Sequence, residues 1–258
     1  MLICNGFVTR EFMQGESNKI LNILTKEYGL ITATARGAVK INGKNSGSAQ
    51  LFSYSEFSIE KVKGWYYVQS AEPKRSFYNI RKDIDKLSLA QYFAQIINEC
   101  IVENQDSGDI LRLTLNTFHY LENGKRSPAL LKSIFELRFL SDIGLMPDLL
   151  ACQRCAEYLP ENPVFLMSKG VFYCCECLKY VQGYIIEDSF PVSKSTLHII
   201  RYIALSDLDK IFMFKISEDS EKILNIFTER YLKTQLGRSF SALDFYNSLV
   251  SINQKGNI

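Results

Sequence analysis

Cys152-Gln-Arg-Cys155 and Cys174-Cys-Glu-Cys177, eighteen residues apart, constrain this chain more than any other stretch. Two cysteines three positions apart turn both sulfurs toward one point when the backbone between them forms a tight knuckle. Two such knuckles joined by a hairpin close a tetrahedral shell around one Zn²⁺ at about 2.3 Å per Zn–S bond. The spacing fits the C-x2-C-x15–20-C-x2-C zinc template. Pro160, Pro163 and Gly170 in the intervening segment predict a loop and hairpin rather than a long helix. No histidine stands among the four ligands Cys152, Cys155, Cys174 and Cys177, so the expected site is closed and structural; catalytic zinc keeps one position open. Cys175 is a fifth thiol, read either as a spare surface or packing residue or as a substitute for Cys174. Disulfides or a redox switch are the rival readings. Against them, Met1-Leu-Ile-Cys4-Asn-Gly6 has no signal-peptide pattern, and Cys4 and Cys100 sit in apolar-patterned segments like those of a reduced core.

At 258 residues, 47% hydrophobic and 22% charged, the chain can bury a full core, as two small domains or one large one. No apolar run approaches the roughly 20 residues of a membrane span. The expectation is therefore a cytoplasmic protein without a membrane partner. The net charge of +2 hides an asymmetry. Residues 1–80 hold ten Lys/Arg against six Asp/Glu, leaving 20 against 22 for the remainder, so the positive excess is N-terminal. Alone, that is weak support for a polyanionic partner.

The first 75 or so residues read as short strands. Ile31, Ala33 and Ala35 alternate with Thr32, Thr34 and Arg36, a half-buried strand; Lys19–Thr25 precedes it, and Leu51–Lys63 and Trp65–Ser70 follow, joined by a tight turn at Lys63-Gly64. Strands at this spacing with no helix between them predict a small barrel or sandwich. The glycine-punctuated loop from Gly37 to Gly47 carries Lys40 and Lys44. It is not a phosphate-binding P-loop, because five residues rather than four separate Gly37 from Gly43 and Asn45 replaces the hydroxyl. With Arg36, its lysines could instead touch a phosphodiester backbone, or the loop is simply solvated. Trp65, Tyr66 and Tyr67 follow Lys61 and Lys63, an interleaving that suits base stacking, although any single aromatic here could equally be core.

From Ser76 the apolar period becomes helical. Leu89, Tyr92, Phe93, Ile96, Ile97, Cys100 and Ile101 draw one stripe, and a second helix through Ile110, Leu111, Leu115, Phe118 and Leu121 stops at Asn123-Gly124. Ser127-Pro128 opens a third, running to about Gly144. After the cysteine segment, helices are expected over Val192–Leu205, Ser217–Leu236 with Ile223, Ile226, Phe227 and Tyr231 as its stripe, and Ser241–Val250. Two histidines, His119 and His198, both read as ordinary helix residues, and H-E-x-x-H, G-x-S-x-G and paired-carboxylate motifs are all missing. The chain reads as a binding protein rather than an enzyme.

Gly15-Glu-Ser17, Thr25-Lys-Glu-Tyr-Gly-Leu30, Ala35-Arg-Gly-Ala38 and Gln50-Leu-Phe52, then Phe135-Glu-Leu-Arg-Phe-Leu140, Gly144-Leu-Met-Pro147 and the first cysteine pair, and finally Arg230-Tyr-Leu-Lys-Thr-Gln-Leu-Gly-Arg238, resemble the RecO family of bacterial DNA repair proteins, in order over nearly the whole chain. The resemblance implies an α+β fold: an OB-fold barrel (residues 1–78), then a helical domain (79–258) with an inserted Cys4 zinc module at about 148–184. It also implies a recombination mediator of the RecF-type pathway, associated with the nucleoid. Such a protein binds single- and double-stranded DNA, anneals complementary strands and, with RecR, helps RecA replace single-strand-binding protein (SSB). The DNA surface expected on this chain is Arg10, Arg36, Lys40, Lys44, Lys61, Lys63, Lys74 and Arg75, with Trp65 stacking. Lys125, Arg126 and Lys132 are the cations expected to face the acidic SSB tail. Two departures stand out: Ala156 occupies the position after the first knuckle where glycine is usual, and the Cys174-Cys175 doublet is unusual.

Arg154 and Lys169 are the only cations between Cys152 and Cys177, so the metal is expected to hold the helical domain together rather than to touch DNA. The alternative function is a zinc-stabilised protein-interaction adaptor with incidental DNA affinity. A metal or redox enzyme is a third reading, and it would need an open metal position or a thiol of low pKa.

Overall fold

The computed structural model describes residues 1–39, 47–183 and 186–255. Five strands, β1 (Leu2–Gln14), β2 (Asn18–Thr25), β3 (Leu30–Ala35), β4 (Ser53–Val62) and β5 (Trp65–Ser76), close into a barrel in the order β1-β2-β3-β5-β4. All pairings are antiparallel except β3 with β5. This is the five-stranded OB-fold barrel.

Alternation fills the barrel as anticipated: Ile31, Ala33 and Ala35 are buried, with Leu21, Ile23, Phe57, Ile59 and Val68. On β1, Gly6 leaves no room for a side chain, since a Cβ there would lie 2.3 Å from Ile23 Cγ2 and 3.3 Å from Phe57. The Lys63-Gly64 turn has φ of 49° and 87°, the left-handed pair of a two-residue hairpin whose twist matches its strands.

Helix α1 (Ile84–Cys100) starts on Asp83, whose side chain accepts from the Asp85 and Lys86 N–H groups. Helix α2 (Gly108–Asn123) ends on Gly124 at φ 63°. Phe118 of α2 sits among Phe7, Phe52 and Phe77 with ring centroids at 4.8, 5.0 and 5.6 Å. The link between α1 and α2 is bonded to the β2–β3 turn: Asn104 N–H donates to Tyr28 O at 2.9 Å and Ser107 N–H to Lys26 O at 2.8 Å. The last helix, α7 (Ser241–Lys255), returns to α1, where Phe240 meets Tyr92 edge to face at 5.8 Å and the Ala242 N–H donates to Gln95.

One compact unit therefore comprises Met1–Gly124 together with Phe240–Ile258, and a second comprises Lys125–Ser239. These limits differ from the expected 1–78 and 79–258 division. The change from strand to helix near residue 77 marks a change of local structure, whereas α1, α2 and α7 spend their apolar faces within the unit that contains the barrel.

In the second unit, α3 (Pro128–Asp142) begins as read: the Ser127 side chain accepts from Leu130 N–H, with Pro128 in the first turn. Strands β6 (Pro163–Leu166), β7 (Val171–Cys174) and β8 (Ser189–Pro191) form a small antiparallel sheet in the order β7-β6-β8. Helices α5 (Lys194–Leu205) and α6 (Glu218–Leu236) follow. Of the expected stripe of α6, Phe227 and Tyr231 are buried and Ile223 is half-buried, but Ile226 is not part of the buried face. The buried residues of the helix are Leu224, Phe227, Thr228, Tyr231 and Leu232, spaced i, i+3, i+4, i+7, i+8, and Ile226 is 58% exposed. Thr228 broke the apolar pattern because it is buried for its hydroxyl, which donates to Glu136 at 2.6 Å.

Candidate metal centre and nucleic-acid interface

The β6–β7 hairpin delivers Cys174 at the end of β7, where its Sγ caps the one-turn helix α4 (Cys175–Leu178) by accepting from Cys177 N–H at 3.4 Å. The first pair comes from the loop after α3. The Cys174 N–H donates to Cys152 Sγ at 3.3 Å, locking the two pairs together. All four sulfurs lie within 4.8 Å of one another, and Cys155 Sγ is 3.8 Å from Cys174 Sγ. A tetrahedron with metal–sulfur bonds of about 2.3 Å has edges of about 3.8 Å, so the cluster has the dimensions of a four-thiolate metal site.

Burial resists ionisation of Cys152, but N–H groups of Cys155, Arg154 and Cys174 bring its pKa down to about 6. The hydrogen bond with Cys174, then burial, pushes Cys177 up to about 12. Four thiols this close divide little negative charge among themselves, and a bound divalent cation is what ionises them all. Cys175 is outside the cluster; its thiol is exposed and donates to Asn162 O at 2.9 Å. Cys4, pushed up to about 11 by burial and then by Glu27, is an inert core thiol. Ala156 has φ 57° and donates its N–H to Cys152 O at 3.0 Å, so the knuckle does carry a left-handed residue with a Cβ.

On the barrel, the alternation of β5 turns Tyr66 inward and leaves Trp65 71% exposed beside the Lys63-Gly64 turn. Tyr67 shares the outward side with Trp65, and the Arg36 guanidinium lies over its ring at 4.7 Å. Lys63 and Arg10 are exposed, the latter stacked on Phe12 at 5.6 Å. Trp65 and Tyr67 thus lie on β5, Lys63 in the β4–β5 turn, and Arg36 immediately after the adjoining strand β3.

Three of the other expected cations are engaged elsewhere. Lys61 donates to Tyr66 Oη at 2.9 Å and pairs with Glu103 at 3.3 Å. Lys74 pairs with Glu56 at 2.9 Å, and Arg75 with Glu122 at 3.4 Å, beside His119. Lys74 is nine residues along β5 from Trp65, about 30 Å of strand, so the cations among the described residues do not form one patch. Lys40 and Lys44 lie outside the described residues. Missed by the sequence reading was the acidic outer face of β4 and β5, where Glu56 sits directly opposite Glu72. Its signal was present, because Glu56, Ser58 and Glu60 alternate with buried residues.

The cations expected to meet an acidic tail separate. Lys125 is exposed and Arg126 half-buried, but Lys132 is 1% exposed. Its Nζ pairs with Glu136 at 3.1 Å and Glu229 at 3.0 Å and donates to Asn225 at 3.0 Å. That charge is matched inside the helical unit, so an acidic peptide cannot reach it; assigning Lys132 to such a surface was incorrect.

A closed five-stranded OB barrel followed by helices, with four thiols arranged to hold a metal ion, defines the class: an OB-fold protein with a cysteine-cluster helical region. The family model described as "Recombination protein O N terminal" matches residues 1–77, and "Recombination protein O C terminal" matches residues 81–244. The DNA repair protein RecO of Acetivibrio thermocellus is 33% identical over 245 residues, covering 95% of this chain and 96% of the relative. Those of Alkaliphilus metalliredigens and Caldicellulosiruptor saccharolyticus are each 29% identical, covering 93% of this chain and 96% of each relative. The chain belongs to the RecO family of DNA repair proteins. No described helix is long and apolar enough to cross a membrane.

Proposed function

We propose that this protein is a non-catalytic recombination mediator. It binds DNA, anneals complementary single strands and, with RecR, helps RecA load onto strands coated by SSB. The observation that carries this reading is the solvent-exposed Trp65 on an OB barrel, next to Lys63 and on the same side of β5 as the Arg36–Tyr67 pair. OB folds take single strands on the face around strands 2 and 3 and the flanking loops, combining base stacking with cationic tracking of the backbone. Annealing like-charged strands asks only for a surface that lowers their repulsion and then releases the duplex. Cations already paired with carboxylates, such as Lys74 and Arg75, contribute less than Arg36 and Lys63.

In this reading the four cysteines hold one Zn²⁺ that fixes the loop after α3 to the β6–β7 hairpin. A closed four-thiolate shell supplies structural stability and no open coordination position. The acidic tail of SSB would meet Lys125 and Arg126. The deciding experiment is strand annealing on SSB-coated DNA, without ATP and across a salt series. Annealing that weakens with salt and falls when Arg36, Lys63 and Trp65 are all changed to Ala is expected. Unchanged annealing in that variant would refute the surface, and no DNA binding at low salt alongside retained SSB capture would favour the adaptor reading.

A further inference from the structure

Arg201, on α5, is 5% exposed, and no carboxylate pairs with it among the described residues. Its Nε donates to Leu149 O at 2.8 Å, and its Nη2 to Leu150 O at 3.2 Å and Tyr158 O at 2.6 Å. The guanidinium lies over the rings of Tyr158 at 4.0 Å and Phe172 at 5.7 Å, and its buried Nη1 has no hydrogen-bond partner among the described residues. Burial lowers its pKa, yet an arginine remains charged at any physiological pH. A buried cation without a counter-charge is among the costliest arrangements a protein can hold.

The residues that it touches share one property. Leu149 and Leu150 are three and two positions before Cys152, Tyr158 is three after Cys155, and Phe172 is two before Cys174. These hydrogen bonds and ring contacts are all made to chain that immediately flanks a ligand cysteine, from both pairs. Four thiolates around a divalent cation carry a net formal charge of minus two. Metal binding would add that negative charge to the segments that Arg201 holds.

We propose that Arg201 is the counter-charge of the metal–thiolate centre, holding the loops that carry both cysteine pairs and stabilising the anionic loaded state over the metal-free one. This rests on the four-thiol metal reading. Arg154, by contrast, is exposed and stacked on Tyr180 at 4.3 Å, so it is no substitute.

The full-length chain and three variants, Arg201→Lys, Arg201→Gln and Arg201→Met, test this by competition for Zn²⁺ against a colorimetric chelator and by melting with and without metal. Outer-shell partners of a metal site typically change its affinity 10–100-fold. Arg201→Met and Arg201→Gln should bind Zn²⁺ about 10–100-fold more weakly and lose more thermal stability loaded than chelated. Arg201→Lys, which keeps the charge but not the planar fork, should stay within several-fold of the parent affinity. If Lys and Gln weaken Zn²⁺ binding equally, or if all variants lower the loaded and chelated melting points alike with affinity unchanged, Arg201 only ties carbonyls and the proposal is overturned. Should Arg201→Met fail to fold, the Lys and Gln pair still decides. A parent chain that takes up no metal would refute the four-thiol reading itself, and that is seen without any variant.

Discussion

Lys132 and Glu136 form an ion pair at 3.1 Å with their side chains 1% and 0% exposed, one turn apart on α3. Glu229 of α6 completes the group, 3.0 Å from the same ammonium. Removing one member of such a pair leaves an uncompensated buried charge, which typically costs about 3–5 kcal/mol. Lys132→Met should therefore lower unfolding free energy by about that amount in a urea titration, far more than Lys125→Met on the surface.

The same group predicts a pH dependence. Burial raises the Glu229 pKa, but Lys132 and Lys233 outweigh it and hold the carboxyl below its ordinary 4.5. A carboxyl depressed on folding contributes stability that is present above pH 4.5 and lost as pH falls through the lower folded value. The acid limb of the stability curve should flatten in Glu229→Gln. An identical limb in the variant would remove Glu229 from this role.

Trp65 is the only tryptophan in the chain, so intrinsic fluorescence reports on this one exposed ring. Stacking of a base on it should quench the emission on addition of single-stranded oligonucleotide, and Trp65→Ala should weaken binding by about 1–3 kcal/mol. Emission unmoved by saturating DNA would exclude Trp65 from the interface.

Ala156 holds a left-handed conformation that costs an L residue roughly 1–2 kcal/mol, part of which a glycine returns as extra unfolded-state entropy. Ala156→Gly should raise stability by about 0.5–1 kcal/mol in the metal-loaded protein, read by thermal melting. A loss of stability would show that the Cβ is packed rather than strained.

Chelation should lower the melting temperature of the protein at chelator concentrations that leave oligonucleotide affinity intact, since the cysteine cluster belongs to the 125–239 unit and Trp65 to the barrel. Affinity lost first would place the metal at the DNA surface instead.

What was legible in the sequence was short in range. The cysteine spacing, the Lys63-Gly64 turn, the Ser127-Pro128 helix start and the Gly124 stop each depend on a few adjacent residues, and the structure has all four. What was not legible depends on distant partners. Lys132 looks like a surface cation until Asn225 and Glu229 are placed beside it, nearly a hundred residues later. Thr228 joins the buried face of α6 because its hydroxyl meets a buried carboxylate on α3, and hydrophobicity alone does not encode that pairing. Lys61, Lys74 and Arg75 kept their exposure but found acidic neighbours, which a count of cations cannot foresee.

The return of α7 to α1 makes the barrel-containing unit discontinuous in sequence. On the ribosome that unit stays unfinished until its closing helix has been translated, after the 125–239 segment has already emerged. A nonsense mutation that removes only the final helix would therefore strike hardest at the part of the molecule made first.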